Sequence, residues 1–153
     1  MSKTVRLATF VDRITSPIVF AGFVLFACVF LYFEGNLQEA KILILSFVAT
    51  IFVTGILKIT LKKDRRSDAL ILLNDYAFPS GHASGAVSFA FAISYILMSI
   101  NLPRADALVG VIFMIALCIG ISRVLIRVHT RIEVYAGVAI GILVPLLVIM
   151  LLE

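Results

Sequence analysis

Charged side chains are scarce in this chain: Asp, Glu, Lys and Arg together make up only 14% of its 153 residues, whereas 62% are hydrophobic. Soluble domains carry about a quarter charged residues. A water-soluble fold of this length could not bury so much apolar surface. The composition therefore excludes a soluble globular protein. It predicts an integral, multi-pass protein of the cytoplasmic membrane, built as one domain over residues 1–153.

Cysteine and histidine occur only twice each, and tryptophan is absent. Cys28 and Cys118 lie in apolar runs without a CxxC or Cys/His pattern, so we expect small buried side chains rather than a disulfide bond or a metal site. No cluster of carboxylates suited to Mg²⁺ or Zn²⁺ accompanies the histidines, which predicts a site without metal or cofactor. No nucleic-acid partner is predicted, and the oligomeric state stays open.

Five apolar segments are long enough, with their flanks, to cross a bilayer, which takes about 20 residues per helix. They are residues 17–33, 42–58, 83–100, 107–122 and 133–152. The sequence thus predicts an all-α fold, a polytopic membrane bundle of about five transmembrane helices. Leu7, Phe10, Val11 and Ile14 recur at helical spacing, so residues 1–16 are expected to form a short amphipathic segment at the membrane interface.

The longest connection, residues 61–78, begins with a charged stretch and continues with the apolar residues 69–73. That apolar stretch is too short to span a membrane, so we expect it at the interface or folded over the end of the bundle. Small residues also recur at a spacing of four, for example Gly137 and Gly141. This pattern favours close packing between membrane helices.

Three polar motifs stand at the ends of the apolar segments. The first contains Lys58 and Arg65, the second is Pro79-Ser80-Gly81-His82, and the third runs from Ser122-Arg123 through His129 to Glu133. Successive membrane helices run in opposite directions, so the ends that carry these motifs all fall on one side of the membrane. The topology therefore predicts that the three motifs meet.

This combination of side chains predicts phosphate chemistry. A phosphate ester repels nucleophiles unless positive charge surrounds it, and Lys58, Arg65 and Arg123 can supply that charge. Ser80 and Gly81 are expected at a helix N-terminus, where backbone N–H groups and the helix dipole favour an anion.

The two histidines are expected to have different roles. His129 and Glu133 are four residues apart and would share a face if one helix carried both, so the carboxylate would orient His129 as a nucleophile. His82 would then protonate the leaving oxygen and later activate water.

Together these motifs resemble the three signatures of the type-2 phosphatidic acid phosphatase superfamily, over about residues 41–150. The resemblance implies an α-helical membrane bundle that dephosphorylates lipid phosphates or diphosphates without a metal. It implies that His129 forms a phosphoenzyme and that His82 is the acid. The residues that match the family's phosphate-binding positions are Lys58, Arg65, Ser80, Gly81 and Arg123.

The chain departs from the family pattern in three places. Glu133 replaces the usual aspartate, Arg66 replaces the usual proline, and five predicted spans replace the usual six. The longer side chain of Glu133 keeps the negative charge but moves the carboxylate. None of these changes removes a group that the chemistry requires.

Two other classes of function are compatible with a cationic site at helix ends. One is a small anion or lipid transporter, and the other is a structural relative that has lost activity. The substrate stays open among an isoprenyl diphosphate such as the undecaprenyl carrier, phosphatidic acid and phosphatidylglycerophosphate. The excess of Lys and Arg on the motif side predicts a cytoplasmic site, whereas bacterial relatives commonly place it outside.

Overall fold

The computed structural model describes residues 3–14, 17–70 and 75–153, and every regular element within these ranges is an α-helix. The helices are α1 (Lys3–Ile14), α2 (Pro17–Phe33), α3 (Leu37–Leu61), α4 (Gly81–Ser99), α5 (Ala105–Leu125) and α6 (Arg131–Leu152). The all-α prediction is confirmed. Residues 1, 2, 15 and 16 of the predicted N-terminal segment, and residues 71–73 of the predicted interfacial stretch, lie outside the described ranges.

Four of these helices, α3 to α6, are long and apolar enough to cross a bilayer, and a shorter apolar helix covers Val19–Phe33 within α2. Large apolar side chains point away from the bundle, and Phe26, Phe52 and Met150 are 72%, 67% and 70% exposed. An apolar surface of this extent is suited to lipid rather than to water. The chain is therefore an integral multi-pass membrane protein.

The N-terminal helix α1 packs against α5. Val11 contacts the core cluster that contains Ala116 and Ile119, whereas Leu7 and Phe10 are exposed. A helix with one packed side and exposed apolar side chains is suited to the membrane surface.

Helix α4 lies at the centre of the bundle, because it packs against α2, α3, α5 and α6. Its contact with α6 depends on two glycines. A Cβ atom on Gly137 would lie 2.6 Å from the carbonyl oxygen of Ser80, and one on Gly141 would lie 2.6 Å from that of Ser84. The absence of side chains lets the two backbones touch, as the small-residue pattern predicts. This contact fixes the first turn of α4.

Hydroxyl groups join α3 to α4 inside the bundle. Thr50 Oγ1 donates to Ser88 Oγ at 2.9 Å, and Thr54 Oγ1 lies 3.0 Å from Ser84 Oγ. All four residues are buried. Buried hydroxyls are costly without a partner, so these pairs stabilise one alignment of the two helices. In that alignment Lys58, one turn beyond Thr54, stands beside the start of α4.

Both cysteines are free thiols, as predicted. Cys28 is half-buried, but Cys118 is exposed. The expectation of burial is thus wrong for Cys118, because it lies on the outer face of α5 beside exposed apolar residues such as Met114 and Leu117. Among membrane helices an apolar run does not imply burial inside the protein.

Replacing Gly137 or Gly141 by alanine is expected to destabilise the bundle by about 1–3 kcal/mol, because the new methyl group forces the α4 and α6 backbones apart. Gly110→Ala is the matched control, since a Cβ there meets nothing within 4 Å. The measurement is the thermal unfolding midpoint of the purified protein in detergent. Equal midpoints for Gly137→Ala and Gly110→Ala would contradict the close contact.

Candidate active site

Residues from the three motifs line one cavity of about 400 Å³ at the end of the bundle. Its lining residues are Ile51, Thr54, Gly55, Lys58, Arg65, Asp75, Gly81, His82 and His129. The structure therefore brings both histidines to the same space as the two first-motif cations. This agrees with the convergence that alternating helix directions predict.

Arg65 connects the first motif to the third. Its Nη1 donates to the carbonyl oxygen of Val128 at 2.9 Å and lies 3.4 Å from Nε2 of His129. A guanidinium can only donate hydrogen bonds, so the facing Nε2 must carry a lone pair rather than a proton. Arg65 itself belongs to the segment that follows α3.

The partner of the other ring nitrogen is Glu133. His129 Nδ1 lies 3.1 Å from Glu133 Oε2, and both side chains are buried. A carboxylate accepts, so Nδ1 carries the proton and donates it to Glu133. The partners thus assign a neutral imidazole whose unprotonated Nε2 faces Arg65, and both residues line the cavity. An imidazole with an unprotonated nitrogen is the form that a nucleophile requires.

The two residues do not share a helix, contrary to expectation, because His129 precedes the N-cap residue Thr130. Glu133 instead belongs to a capping box: its Oε2 accepts from Thr130 N at 3.0 Å, and its own N–H donates to Thr130 Oγ1. The turned-back carboxylate then reaches the His129 ring. The sequence signal was Thr130-x-x-Glu133, a capping-box pattern.

Lys63 is a site residue that sequence reasoning missed. Its Nζ lies 2.8 Å from Glu133 Oε1, so both carboxylate oxygens of Glu133 are engaged. The cationic run from Lys62 to Arg66 was visible in the sequence, but nothing in it distinguishes the residue that reaches Glu133.

Asp75 is the second residue that sequence reasoning missed. Its carboxylate accepts from Lys58 Nζ at 2.6 Å and from Arg65 Nε at 3.1 Å, and Arg65 Nη2 is a further partner. Burial alone raises the pKa of Asp75, but the hydrogen bonds from Lys58 and Arg65 outweigh it and hold the pKa below its usual range. In the sequence, the sign of this role is that Asp75 stands shortly before the second motif, which begins at Pro79.

The other predicted site residues take different positions. Gly81 lines the cavity, and a Cβ there would lie 3.8 Å from Lys58 Cε. Ser80 is fully buried as the N-cap of α4, and its N–H donates to the carbonyl oxygen of Glu133 at 3.0 Å. Arg123, in the last turn of α5, is also fully buried and lies within electrostatic range of His82. Ser80 and Arg123 do not line this cavity.

Burial strongly affects the pKa of His129, which lies in the loop between α5 and α6. Burial, together with the positive charge of Arg65, lowers the pKa of His129 to about 4, although the hydrogen bond to Glu133 acts in the opposite direction. His129 is therefore neutral near pH 7. Within the described residues, no group of three or more His, Cys, Asp or Glu side chains is arranged to hold a metal ion.

Comparison with known proteins assigns the family. The PAP2 superfamily model matches residues 40–153, which is most of the chain. The chain belongs to the PAP2 superfamily. Phosphatidylglycerophosphatase B of Bacillus subtilis (strain 168) is 28% identical over 123 residues, which cover 77% of this chain and 60% of that protein. The chain thus spans 60% of the length of this relative.

Two solved structures have the same fold. A transmembrane PAP2 type phosphatidylglycerolphosphate phosphatase from Bacillus subtilis superposes with a TM-score of 0.86 at 23% identity, over 96% of this chain and 75% of the other. LpxE from Aquifex aeolicus gives a TM-score of 0.72 at 25% identity, over 94% and 86% of the respective chains. The expected resemblance to this superfamily is confirmed.

Replacing Arg65 by methionine is expected to raise the pKa of His129 above about 4, because the nearby cation disfavours the imidazolium form. The pKa should stay below the ordinary value of about 6.5, since burial persists. The measurement is an NMR titration of ¹⁵N-labelled histidine in detergent, with His82→Gln in the background to leave one signal. Arg127→Met, which removes an exposed cation nearby, is the control and should leave the titration unchanged. An unchanged titration in Arg65→Met would contradict the placement of Arg65.

Proposed function

We propose that this protein is a membrane phosphatase that hydrolyses a lipid phosphate or an isoprenyl diphosphate through a phosphohistidine intermediate. The observation that carries the proposal is the unprotonated Nε2 of His129, a residue that lines one cavity together with His82, Lys58 and Arg65. A nucleophile, a second imidazole and two cations around one space are the groups that phosphoryl transfer requires.

In the first step, His129 Nε2 attacks the phosphorus and forms a P–N bond while the P–O bond to the lipid breaks. His82, in its protonated form, donates a proton to the departing oxygen, so the lipid leaves as an alcohol or, from a diphosphate, as a monophosphate. Glu133 accepts the Nδ1 proton's hydrogen bond throughout and stabilises the positive charge that develops on the ring.

In the second step, neutral His82 takes a proton from water, whose oxygen attacks the phosphorus as the P–N bond breaks. The P–N electron pair returns to Nε2 of His129, inorganic phosphate leaves, and His82 is again protonated. Lys58 and Arg65 balance the phosphoryl charge in both steps. The proposed mechanism assigns this charge compensation to side chains and uses no metal ion.

The proposed phosphate site also includes Gly81, Ser80 and Arg123, in different ways. Gly81 exposes its backbone at the cavity wall next to Lys58. Ser80 and Arg123 are buried and support the site from behind: Ser80 caps α4, and Arg123 adds positive charge near His82. Their contribution would be positional and electrostatic rather than direct lining of the cavity.

The shape of the site supports an amphiphilic substrate. A second cavity of about 200 Å³ shares Ile51, Gly81 and His82 with the first, so the two adjoin at His82. The rest of its lining is apolar: Phe20, Ala21, Phe47, Gly85 and Ala86. A hydrocarbon chain in this space would place its phosphate beside His82. Phosphatidic acid, phosphatidylglycerophosphate and undecaprenyl diphosphate all satisfy this requirement. The similarity to phosphatidylglycerophosphatase B of Bacillus subtilis favours phosphatidylglycerophosphate.

Two arrangements argue against the alternative classes. A transporter needs access to its anion site from both faces, whereas the cavity lined by Lys58 and Arg65 lies at one end of the helices. An inactive relative needs no oriented nucleophile, whereas His129 is held by partners on both ring nitrogens. Flux of labelled phosphate into proteoliposomes without hydrolysis would support transport instead.

The proposed location is the cytoplasmic membrane. The exposed Arg127 stands at the end of the bundle that carries the site, and Gly35 lies in the turn between α2 and α3 at the other end. Cysteines introduced at these two positions, in a chain without Cys28 and Cys118, report the side through an impermeant thiol reagent. Labelling at 127 from outside places the site outside, and labelling at 35 places it in the cytoplasm.

Incubation with ³²P-labelled phosphatidic acid in the presence of a chelator is expected to give an acid-labile, alkali-stable label on the wild-type protein. His129→Ala should give neither label nor turnover. His82→Ala should lose roughly 100-fold to 10,000-fold in turnover, because general acid–base catalysis contributes that range. The control is Ser99→Ala, at the opposite end of α4, which should retain full activity. Turnover in His129→Ala would eliminate the nucleophile assignment.

Shortening Glu133 to aspartate is expected to lower kcat by roughly tenfold, the equivalent of one charge-assisted hydrogen bond. The shorter carboxylate cannot reach His129, Thr130 and Lys63 together. KM should change little, because Lys58 and Arg65 are untouched. An increase in kcat in Glu133→Asp would instead favour the reading of the protein as an inactivated relative.

A further inference from the structure

Lys58 and Arg65, the two cations of the first motif, already pair with a carboxylate of the chain itself, that of Asp75. Asp75 Oδ2 lies 2.6 Å from Lys58 Nζ, and Asp75 Oδ1 accepts from Nε and Nη2 of Arg65. One carboxylate oxygen thus accepts from two nitrogens of the guanidinium, and the other accepts from the ammonium group. All three residues line the cavity that contains both histidines.

The same donors would be needed by a phosphate. Arginine binds carboxylate and phosphate through the same planar fork, and lysine binds either as a point charge. The N–H groups of Lys58 and Arg65 that point at Asp75 cannot serve a phosphate at the same time. An oxyanion that binds through these same N–H groups therefore displaces Asp75 from them.

The side chain of Asp75 can separate from Lys58 and Arg65 at a moderate cost in free energy. Its side chain is 54% exposed, whereas those of Lys58 and Arg65 are only 15% and 10% exposed. The displaced carboxylate would regain water, and the cations would exchange one anion for another. Glu133 differs in this respect, because its side chain is 2% exposed and its oxygens face His129 and Lys63.

We propose that Asp75 is an internal ligand of the phosphate site, which occupies Lys58 and Arg65 when the site is empty, yields to the phosphoryl group, and returns as inorganic phosphate departs. The proposal rests on the assignment of this cavity as the phosphate site of a phosphatase. An internal competitor weakens the binding of every oxyanion that displaces it by the same factor. It thus raises KM and the inhibition constant of the product together, and it favours product release.

The test compares Asp75→Asn with Asp68→Asn. Asp68 belongs to the same connecting segment, is similarly exposed at 42%, and pairs with Arg66 and Arg127 rather than with the cavity cations. Binding of inorganic phosphate and of orthovanadate to purified protein is measured by calorimetry at fixed ionic strength. Both ligands should bind roughly fivefold more tightly to Asp75→Asn, because about that factor is the upper end of what a partly exposed ion pair contributes. Asp68→Asn should match the wild type.

Turnover adds a second readout. KM for a lipid phosphate should fall in Asp75→Asn by the same factor as the phosphate dissociation constant, whereas kcat should not rise. Asp75→Glu keeps the charge and should keep weak oxyanion binding, which covers the case in which the asparagine variant does not fold. Unchanged or weaker oxyanion binding in Asp75→Asn, or equal tightening in Asp68→Asn, overturns the proposal.

These outcomes separate the inference from the proposed function. Tighter oxyanion binding in Asp75→Asn supports the internal ligand even if the wild-type protein releases no phosphate from any lipid. Active hydrolysis by the wild type, with unaltered oxyanion affinity in Asp75→Asn, retains the phosphatase and rejects the internal ligand.

Discussion

The rest of the site depends on the hydrogen bonds and the ion pair that Glu133 makes. It accepts from His129 Nδ1 and from Thr130 N through one oxygen, and it pairs with Lys63 through the other. The carbonyl oxygen of the same residue accepts from Ser80 N. A single residue therefore caps α6, orients one imidazole, holds the segment that follows α3 and fixes the start of α4. Because Glu133 itself is buried and three of these partners are buried or half-buried, the arrangement is far more sensitive to the length of its side chain than a surface carboxylate would be.

The acids of the site fall into two kinds that suit two different tasks. Glu133 is enclosed and fully engaged, which suits a group that must not move during a reaction. Asp75 is over half exposed and holds its cations from the cavity side. Unpartnered cations in a low-dielectric site are costly, so Lys58 and Arg65 need an anion when no ligand is present. The structure meets that need with a group that can be exchanged.

Much of the fold could be predicted because membrane helices are long apolar runs and their directions alternate. The same reasoning predicts that Lys58, His82 and His129 lie at one end of the bundle. The roles of Lys63 and Asp75 could not be predicted, because both lie in the connecting segment between α3 and α4, whose path depends on tertiary contacts. The motifs predict that Arg123 and Ser80 face a ligand, but both lie behind the cavity. A sequence motif indicates which residues come together in the fold, but it does not indicate which of their side chains line the cavity. The capping-box pattern Thr130-x-x-Glu133 indicates that α6 begins after Thr130, so that His129 precedes the helix. At a helix start this pattern is a better guide than helical spacing.

The paired hydroxyls between α3 and α4 have a mechanical consequence. Thr50 and Thr54 are one turn apart on α3, and their partners Ser88 and Ser84 are one turn apart on α4. Sliding of one helix along the other by a fraction of a turn would break both pairs at once and leave Thr50 and Thr54 without these partners. A displacement of about 5.4 Å, the pitch of a helix, would be needed before one of the threonines met the other serine. The paired hydroxyls thus set the depth of Lys58 relative to His82 along the bundle axis, at which both residues line the same cavity.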